Sequence, residues 1–226
     1  MVYGVLAHDD NLALLLEMID GVVLTAYRGN LYDKIQLFHS LVAKVCQLHK
    51  EDIFHQDLKL SNVMVRDPKD PSSVVIIDFG STIMQKLDKN HLRPITACLG
   101  PPDLEQSMLN RYLPVKFDEQ VKRLLVAWDS WQLGMILFNL LTRKNLHIIG
   151  KVTQDNLNFT REKMKQYVNR QLSDKVDKVP PNILTTLIGL LDVDYRKRLT
   201  PELVLYELNK DVTFTEYYMN GCTVPC

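Results

Sequence analysis

His55 to Asn62 reads H-Q-D-L-K-L-S-N, which sets a carboxylate, an ammonium and a side-chain amide in one short stretch between apolar runs. A second carboxylate, Asp78, follows the apolar run in V-V-I-I-D-F-G at Val74 to Gly80. Groups of this kind suit phosphoryl transfer. That reaction asks for an acceptor hydroxyl held in line, a group to take its proton, and cations against the developing phosphate charge. Asp57 has the chemistry of the base, and Lys59 that of a cation facing the phosphate. Asn62 and Asp78 offer the hard oxygen atoms that Mg2+ prefers. Any one of these residues alone is an ordinary turn residue in a solvated loop. The whole set, flanked by apolar segments, is not.

Periodicity predicts the elements that must position this set. Val2 to Leu6 and Leu12 to Ile19 read as two strands joined by a turn at His8-Asp9-Asp10-Asn11. Leu31 to His49 carries Leu31, Ile35, Phe38, Leu41, Val42, Val45 and Leu48 at spacings of three and four, the pattern of an amphipathic helix. The chemistry-bearing loop follows that helix directly. Val63 to Val65 and Val74 to Ile77 predict a hairpin around the turn-forming D-P-K-D-P-S-S. Ser81 to Leu99 has no clean period and reads as a loop. Leu124 to Leu141 is apolar nearly throughout, as in a helix buried on most sides. The polar region from Asn145 to Pro181 holds a helix in its middle, and Asn182 to Leu191 and Pro201 to Leu208 are two more. Thr200 suits the N-cap of the last, with Pro201 at the first helical position, where its missing N–H costs nothing.

Composition narrows the function classes. The chain has 226 residues, 46% of them hydrophobic, enough for one good core. Basic and acidic residues balance to a net charge of zero, so no global field draws nucleic acid or an anionic membrane. The apolar run Leu12 to Leu24 is too short to span a bilayer and is interrupted by Glu17 and Asp20. Met1 to Asp10 lacks the basic start and long apolar stretch of a signal peptide. The four cysteines, Cys46, Cys98, Cys222 and Cys226, include no C-x-x-C pair and read as free thiols of a reducing compartment. The expected location is therefore intracellular, in the cytoplasm, with the nucleus open as well. The sequon at Asn158 to Thr160 then reads as chance.

H-Q-D-L-K-L-S-N followed by I-D-F-G resembles the catalytic loop and metal-binding motif of the eukaryotic protein kinases. Further stretches line up with the same family. D-S-W-Q-L-G at Asp129 to Gly134 resembles its D-x-W-S-x-G, D-Y-R-K-R-L-T at Asp194 to Thr200 its D-P-x-x-R-x-T, and P-P-D at Pro101 to Asp103 stands where A-P-E is usual. The resemblance covers essentially the whole chain. It implies a protein-kinase-like α+β fold, with a mainly helical large lobe at 20–226 and the last strands and hinge of the small lobe at 1–19. It implies transfer of a phosphoryl group from ATP, with Mg2+, to a serine or threonine hydroxyl of a protein substrate. Asp57 would be the catalytic base and Lys59 would touch the transferred phosphate; a lysine here looks like the serine/threonine branch. Asn62 and Asp78 would hold Mg2+. Leu16, Glu17 and Ile19 match the hinge that borders adenine, and Met64 its floor. Thr96 matches the threonine that closes the substrate-facing loop. His55 and Phe79 would pack beneath the site, Arg198 would pair with Asp103, and Asp129 would brace the catalytic loop. The basic run Arg196-Lys197-Arg198 is thereby not a sign of nucleic acid.

Three departures from the family pattern carry expectations of their own. Gln56 stands where the family has the arginine that receives an activation-loop phosphate through a charge-assisted hydrogen bond. Activity is therefore expected not to depend on activation-loop phosphorylation. Asp103 replaces the usual glutamate, and the stretch between Asp103 and Asp129 is longer than usual, which reads as a surface insertion. Finally, no glycine-rich loop and no small-lobe lysine with its glutamate partner occur ahead of Val2. The chain is thus expected to be an incomplete kinase, through a late start, a splice form or a partial gene model, and to bind Mg-ATP weakly or not at all by itself. The alternative is a catalytically inactive kinase-like binding or scaffold module. A small-molecule kinase of the same fold is a third option, disfavoured by the D-x-W-x-x-G and R-x-T matches.

Overall fold

Pairing of the two apolar stretches at the front gives a hairpin: β1 (Val2–His8) runs antiparallel to β2 (Asn11–Leu16), with Val5 opposite Leu14 and His8 opposite Asn11. The structure is a computed structural model, and it describes residues 2–8, 11–84, 100–103, 118–146, 156–175 and 178–210. Thr96, residues 104–117 of the stretch read as an insertion after Asp103, Cys98, Cys222 and Cys226 lie outside the described residues. The second strand stops at Leu16, three residues short of the predicted end at Ile19. Leu16 is the partner of Val2, so residues beyond it have no β1 residue to pair with. The chain then comes so close to a neighbour that a Cβ at Gly21 would lie 2.5 Å from the Val65 carbonyl oxygen. Glycine is required there by simple exclusion. The short β3 (Val22–Val23) follows.

Asn30 begins α1 (Leu31–Lys50) with a capping box: its side chain accepts from Asp33 N–H at 2.9 Å, and Asp33 Oδ2 accepts from Asn30 N–H at 2.9 Å. Ile35, Phe38, Leu41, Val42 and Val45 are buried on one face, as their spacing predicts. Four short strands follow this helix. They are β4 (Ile53–Phe54), β5 (Val63–Val65), β6 (Val74–Ile76) and β7 (Ile83–Met84). The predicted hairpin is β5 with β6, in the register Met64 opposite Val75. The reading of Ser81 to Leu99 as loop throughout is corrected at β7, which pairs with β4. Two residues are too few to show a period, so this strand exists only because β4 supplies a partner.

The apolar stretch around Trp128 becomes α2 (Glu119–Thr142), longer than predicted at its N-terminus because Asp118 Oδ1 caps the N–H groups of Gln120 and Val121. By length and composition α2 could cross a membrane, yet it is the central helix of the core, buried along most of its length by the rest of the chain. Its buried Trp131, Phe138 and leucines each contribute about 1.5–3 kcal/mol by leaving water. Around it lie α3 (Leu157–Leu172), α4 (Pro181–Leu190) and α5 (Pro201–Lys210). Thr200 Oγ1 accepts from Leu203 N–H at 3.3 Å, the expected cap of α5. A second, smaller core joins Phe54 of β4 to Val121, Leu124, Leu125 and Trp128 of α2. It seats the start of the chemistry-bearing loop directly on the central helix.

Candidate active site

Two strand pairs enclose two loops. The segment 55–62 leaves β4 and enters β5, while 77–82 leaves β6 and enters β7. Because β4 pairs with β7 and β5 with β6, the loops are tied together at both ends. Ile77 N–H donates to the Asn62 carbonyl at 2.9 Å, and His55 Nε2 bonds the Ile77 carbonyl at 3.2 Å. The imidazole also stacks at a tilt on Phe79, with centroids 5.1 Å apart. His55 Nδ1 accepts from Asp57 N–H at 3.3 Å, which makes Nε2 the protonated nitrogen. His55 is thus a fully buried joint between the loops. The two strand pairings therefore bring the loop that carries Asp57, Lys59 and Asn62 beside the loop that carries Asp78.

Within the first loop the carboxylate of Asp57 is held asymmetrically. Its Oδ2 accepts from Lys59 Nζ at 2.7 Å and from Asn62 Nδ2 at 3.1 Å. Asn62 Nδ2 also reaches the Asp57 carbonyl at 2.9 Å. Asp57 Oδ1 is buried and has no hydrogen-bond partner. Asn62 Nδ2 donates only to Asp57, and the Asn62 side-chain oxygen has no donor among the described residues. Asp78 is exposed and has a left-handed backbone, φ 61°, with Oδ1 accepting from Gly80 N–H at 3.1 Å. Gln56 is also left-handed, φ 63°. Non-glycine residues in this region cluster at functional sites, where surrounding contacts hold the strain.

Those contacts come from α2. Asp129, fully buried, accepts four hydrogen bonds: from His49 Nε2 at 2.8 Å, His55 N–H at 3.0 Å, Gln56 N–H at 2.8 Å and Gln56 Nε2 at 3.0 Å. The bracing role expected of Asp129 has this geometric form. Gln56 turns its amide inward, also donating to the Leu125 carbonyl at 3.0 Å. Sequence reasoning missed His49, which it placed only on a helix end, and Gln132, which bonds the loop on both sides of Asp57. Each partner is more than seventy residues away along the chain from the loop residue or from Asp129. No local signal marks them.

At the other predicted site residues the geometry is more open. Leu16 is exposed, Glu17 and Ile19 are half-buried, and Met64 is half-buried in the middle of β5. Val23, four residues beyond Ile19, pairs with Met64, so the 16–19 segment leads straight into the strand beside Met64. Glu17 pairs with Arg66 at 2.7 Å, and the guanidinium holds its carboxyl down at about 2. Below the site, Arg198 ion-pairs with Asp103 and donates to the Asp192 and Ala127 carbonyls at 2.9 and 3.0 Å. Burial is the larger influence on this pair, raising the Asp103 carboxyl and lowering the Arg198 guanidinium against their mutual attraction. Cys46, inside α1, is pushed up to about 12 by burial and is an inert thiol. No cluster of three or more histidine, cysteine or acidic ligands occurs among the described residues.

Comparison with known proteins agrees with this architecture. Calcium/calmodulin-dependent protein kinase cmkB of Emericella nidulans is 26% identical over 204 residues, covering 86% of this chain and 44% of that protein. Serine/threonine-protein kinase meng-po of Drosophila melanogaster is 28% identical over 138 residues, covering 60% of this chain and 26% of its own. Myosin light chain kinase A of Dictyostelium discoideum is 28% identical over 144 residues, covering 58% and 42%. The chain thus spans less than half the length of each of these relatives. The family model for the protein kinase domain matches residues 1–208. With its mainly helical fold, its few short strands and the joined loops at 55–62 and 77–82, the chain belongs to the protein kinase family.

Proposed function

We propose that this chain carries the catalytic loop of a protein serine/threonine kinase, which moves a phosphoryl group from Mg-ATP to a hydroxyl of a protein substrate. The observation that carries the reading is the unshared oxygen of Asp57. Oδ2 is occupied by Lys59 and Asn62, which leaves Oδ1, buried and without a donor, as the oxygen that would take the proton once an acceptor hydroxyl displaces the groups covering it. Lys59 holds the carboxylate in place and is one-third exposed, so its ammonium can also face a phosphate. A lysine at this position resembles the serine/threonine branch of the family, which is the ground for naming serine and threonine as acceptors.

The residues present fit the nucleotide and its cation. Asn62 Oδ1 and Asp78 would hold Mg2+, which neutralises phosphate charge when bound. Backbone groups of Glu17 and Ile19 would meet adenine, with Leu16 beside it and Met64 beneath; the Arg66 pair keeps the Glu17 side chain out of the way. A calorimetric titration of the full-length protein with Mg-ATP tests this reading. Saturable binding is expected, weakened at least about tenfold by Asp78→Asn, the scale of losing support at a metal ligand. Binding that is absent, or indifferent to Asp78→Asn, would overturn it. That outcome would favour a second reading, a kinase-like binding module that transfers nothing. Exposed Tyr3, Val5, Leu15, Leu16 and Met18 on and beside the β1–β2 hairpin are the observation behind it, since they leave apolar surface on the hairpin open to a partner.

Gln56 supports a further part of the proposal, that activity is not gated by phosphorylation of the segment after Asp78. Its amide is spent on the Leu125 carbonyl and the Asp129 carboxylate in the interior, and a neutral amide is a poor receiver for a phosphate. Treating the protein with a phosphatase is expected to leave its rate unchanged. A fall of about tenfold or more, roughly 1.4 kcal/mol of barrier, would count against it.

A further inference from the structure

Both glutamines at the family-departing positions, Gln56 and Gln132, lie in the same buried place and bond each other. Gln132 stands where the family pattern D-x-W-S-x-G has serine, one helical turn after Asp129 on α2. Its side chain is fully buried. Oε1 accepts from Leu58 N–H at 2.8 Å, and Nε2 donates to the Gln56 carbonyl at 3.0 Å. One planar amide therefore grips the backbone on both sides of Asp57. The amide orientation is unambiguous, because its two partners are a donor and an acceptor.

The other bonds around Asp57 show what this grip adds. Asp57 N–H goes to His55 and its carbonyl to Asn62, both members of the same loop. Asp129 holds the loop only upstream, at the His55 and Gln56 N–H groups. Among the described residues, Gln132 is the group that ties the downstream side of Asp57 to the core helix. It also restrains the left-handed Gln56 peptide by its carbonyl, while Asp129 restrains it by its N–H. A serine side chain, two bonds shorter, could not reach both groups.

We infer that Gln132 is a positioning residue for Asp57, orienting the catalytic loop from the helix beneath it by a two-point clamp on the Gln56 carbonyl and the Leu58 N–H. The inference rests on Asp57 acting as the base. It deepens that reading by naming what orders the loop where an arginine would otherwise wait for a phosphate. A clamp of this kind acts on the geometry of the reacting step and leaves substrate binding alone.

The test compares wild type, Gln132→Met and Gln132→Glu in the full-length protein. Gln132→Met keeps the shape and loses both bonds. It is expected to lower kcat about 100-fold, the cost of misplacing a reacting group by about an ångström, with KM for ATP and acceptor unchanged. Its Leu58 amide should exchange with solvent about tenfold faster than in wild type, the scale of one lost hydrogen bond. Gln132→Glu keeps the acceptor for Leu58. When protonated it can also donate to the Gln56 carbonyl; when ionised it repels that oxygen. Its kcat relative to wild type should therefore rise as pH is lowered from 8 to 5.5, a trend Gln132→Met cannot show. A folded Gln132→Met with wild-type kcat, or a flat pH ratio for Gln132→Glu, would overturn the proposal. If wild type transfers no phosphate, the kinase reading fails by itself. Leu58 exchange then decides the clamp: protection unchanged in Gln132→Met overturns it, and protection lost in Gln132→Met but kept in Gln132→Glu at low pH supports it. Should Gln132→Met not fold, the Gln132→Glu pH ratio and its Leu58 exchange decide alone.

Discussion

Asp129→Ala is expected to cost about 4 kcal/mol or more of folding stability, a large share of the roughly 5–15 kcal/mol that holds a typical domain together. The reason is the number of donors it would orphan. His49 Nε2, the His55 and Gln56 N–H groups and Gln56 Nε2 all point at this one carboxylate in a water-free place. Each buried donor left without an acceptor costs about 1–3 kcal/mol, although losses within one network do not simply add. The left-handed Gln56 would lose the bond to its N–H at the same time. Asp129→Asn should fall between the two, because its one remaining oxygen can still serve part of the set. Urea unfolding followed by circular dichroism gives the numbers from midpoint and slope. A loss under about 1 kcal/mol for Asp129→Ala would mean that water or a rearranged neighbour replaces the carboxylate, and that the brace is not structural.

The second large effect is on chemistry and not on stability. Asp57→Asn is expected to slow phosphoryl transfer by about 10²–10⁴-fold, the usual contribution of a positioned general base. The change is nearly isosteric. Its oxygen can still accept from Lys59 and Asn62, while the proton-accepting position at Oδ1 becomes an amide that already carries protons. Lys59 is one-third exposed, so loss of the ion pair should alter stability by only about 0–1 kcal/mol. Mg-ATP binding should persist, since Asn62 and Asp78 are untouched. Single-turnover transfer to a protein acceptor, run beside urea unfolding, separates the two consequences. A wild-type rate in a folded Asp57→Asn protein would remove Asp57 from the role of base.

These two aspartates also mark how unevenly the molecule can be read. Asp57 stands out because its chemistry is local: the carboxylate, the lysine and the asparagine that meet it fall within a single short loop. The buried face of α1 was legible for a similar reason, since a helix repeats its side chains every turn and a stripe of Ile35, Phe38, Val42 and Val45 needs no partner to be seen. The cap at Thr200 and Pro201 is equally local. The two-residue strands β3 and β7 were not legible as elements, whereas the strand at Ile53-Phe54 was legible only through the family resemblance of the stretch that leads into the loop. Neither the early end of β2 nor the close approach at Gly21 was legible either, because both depend on where another strand stops or passes.

Helix periodicity, turn chemistry and neighbouring side chains act over a few residues, and from them follow the helical framework, the order of the two loops and the residue types suited to a phosphate. Folding was needed to make His55 a joint between loops, to turn Gln56 inward, and to bring His49, Asp129 and Gln132 together on the backbone around Asp57. Hydrogen bonds of a buried loop must be met by whatever lies nearest in space, and here that is a helix more than sixty residues away along the chain. For the stretch H-Q-D-L-K-L-S-N, residue types announce the chemistry, and the core beneath it sets where the Asp57 carboxylate points.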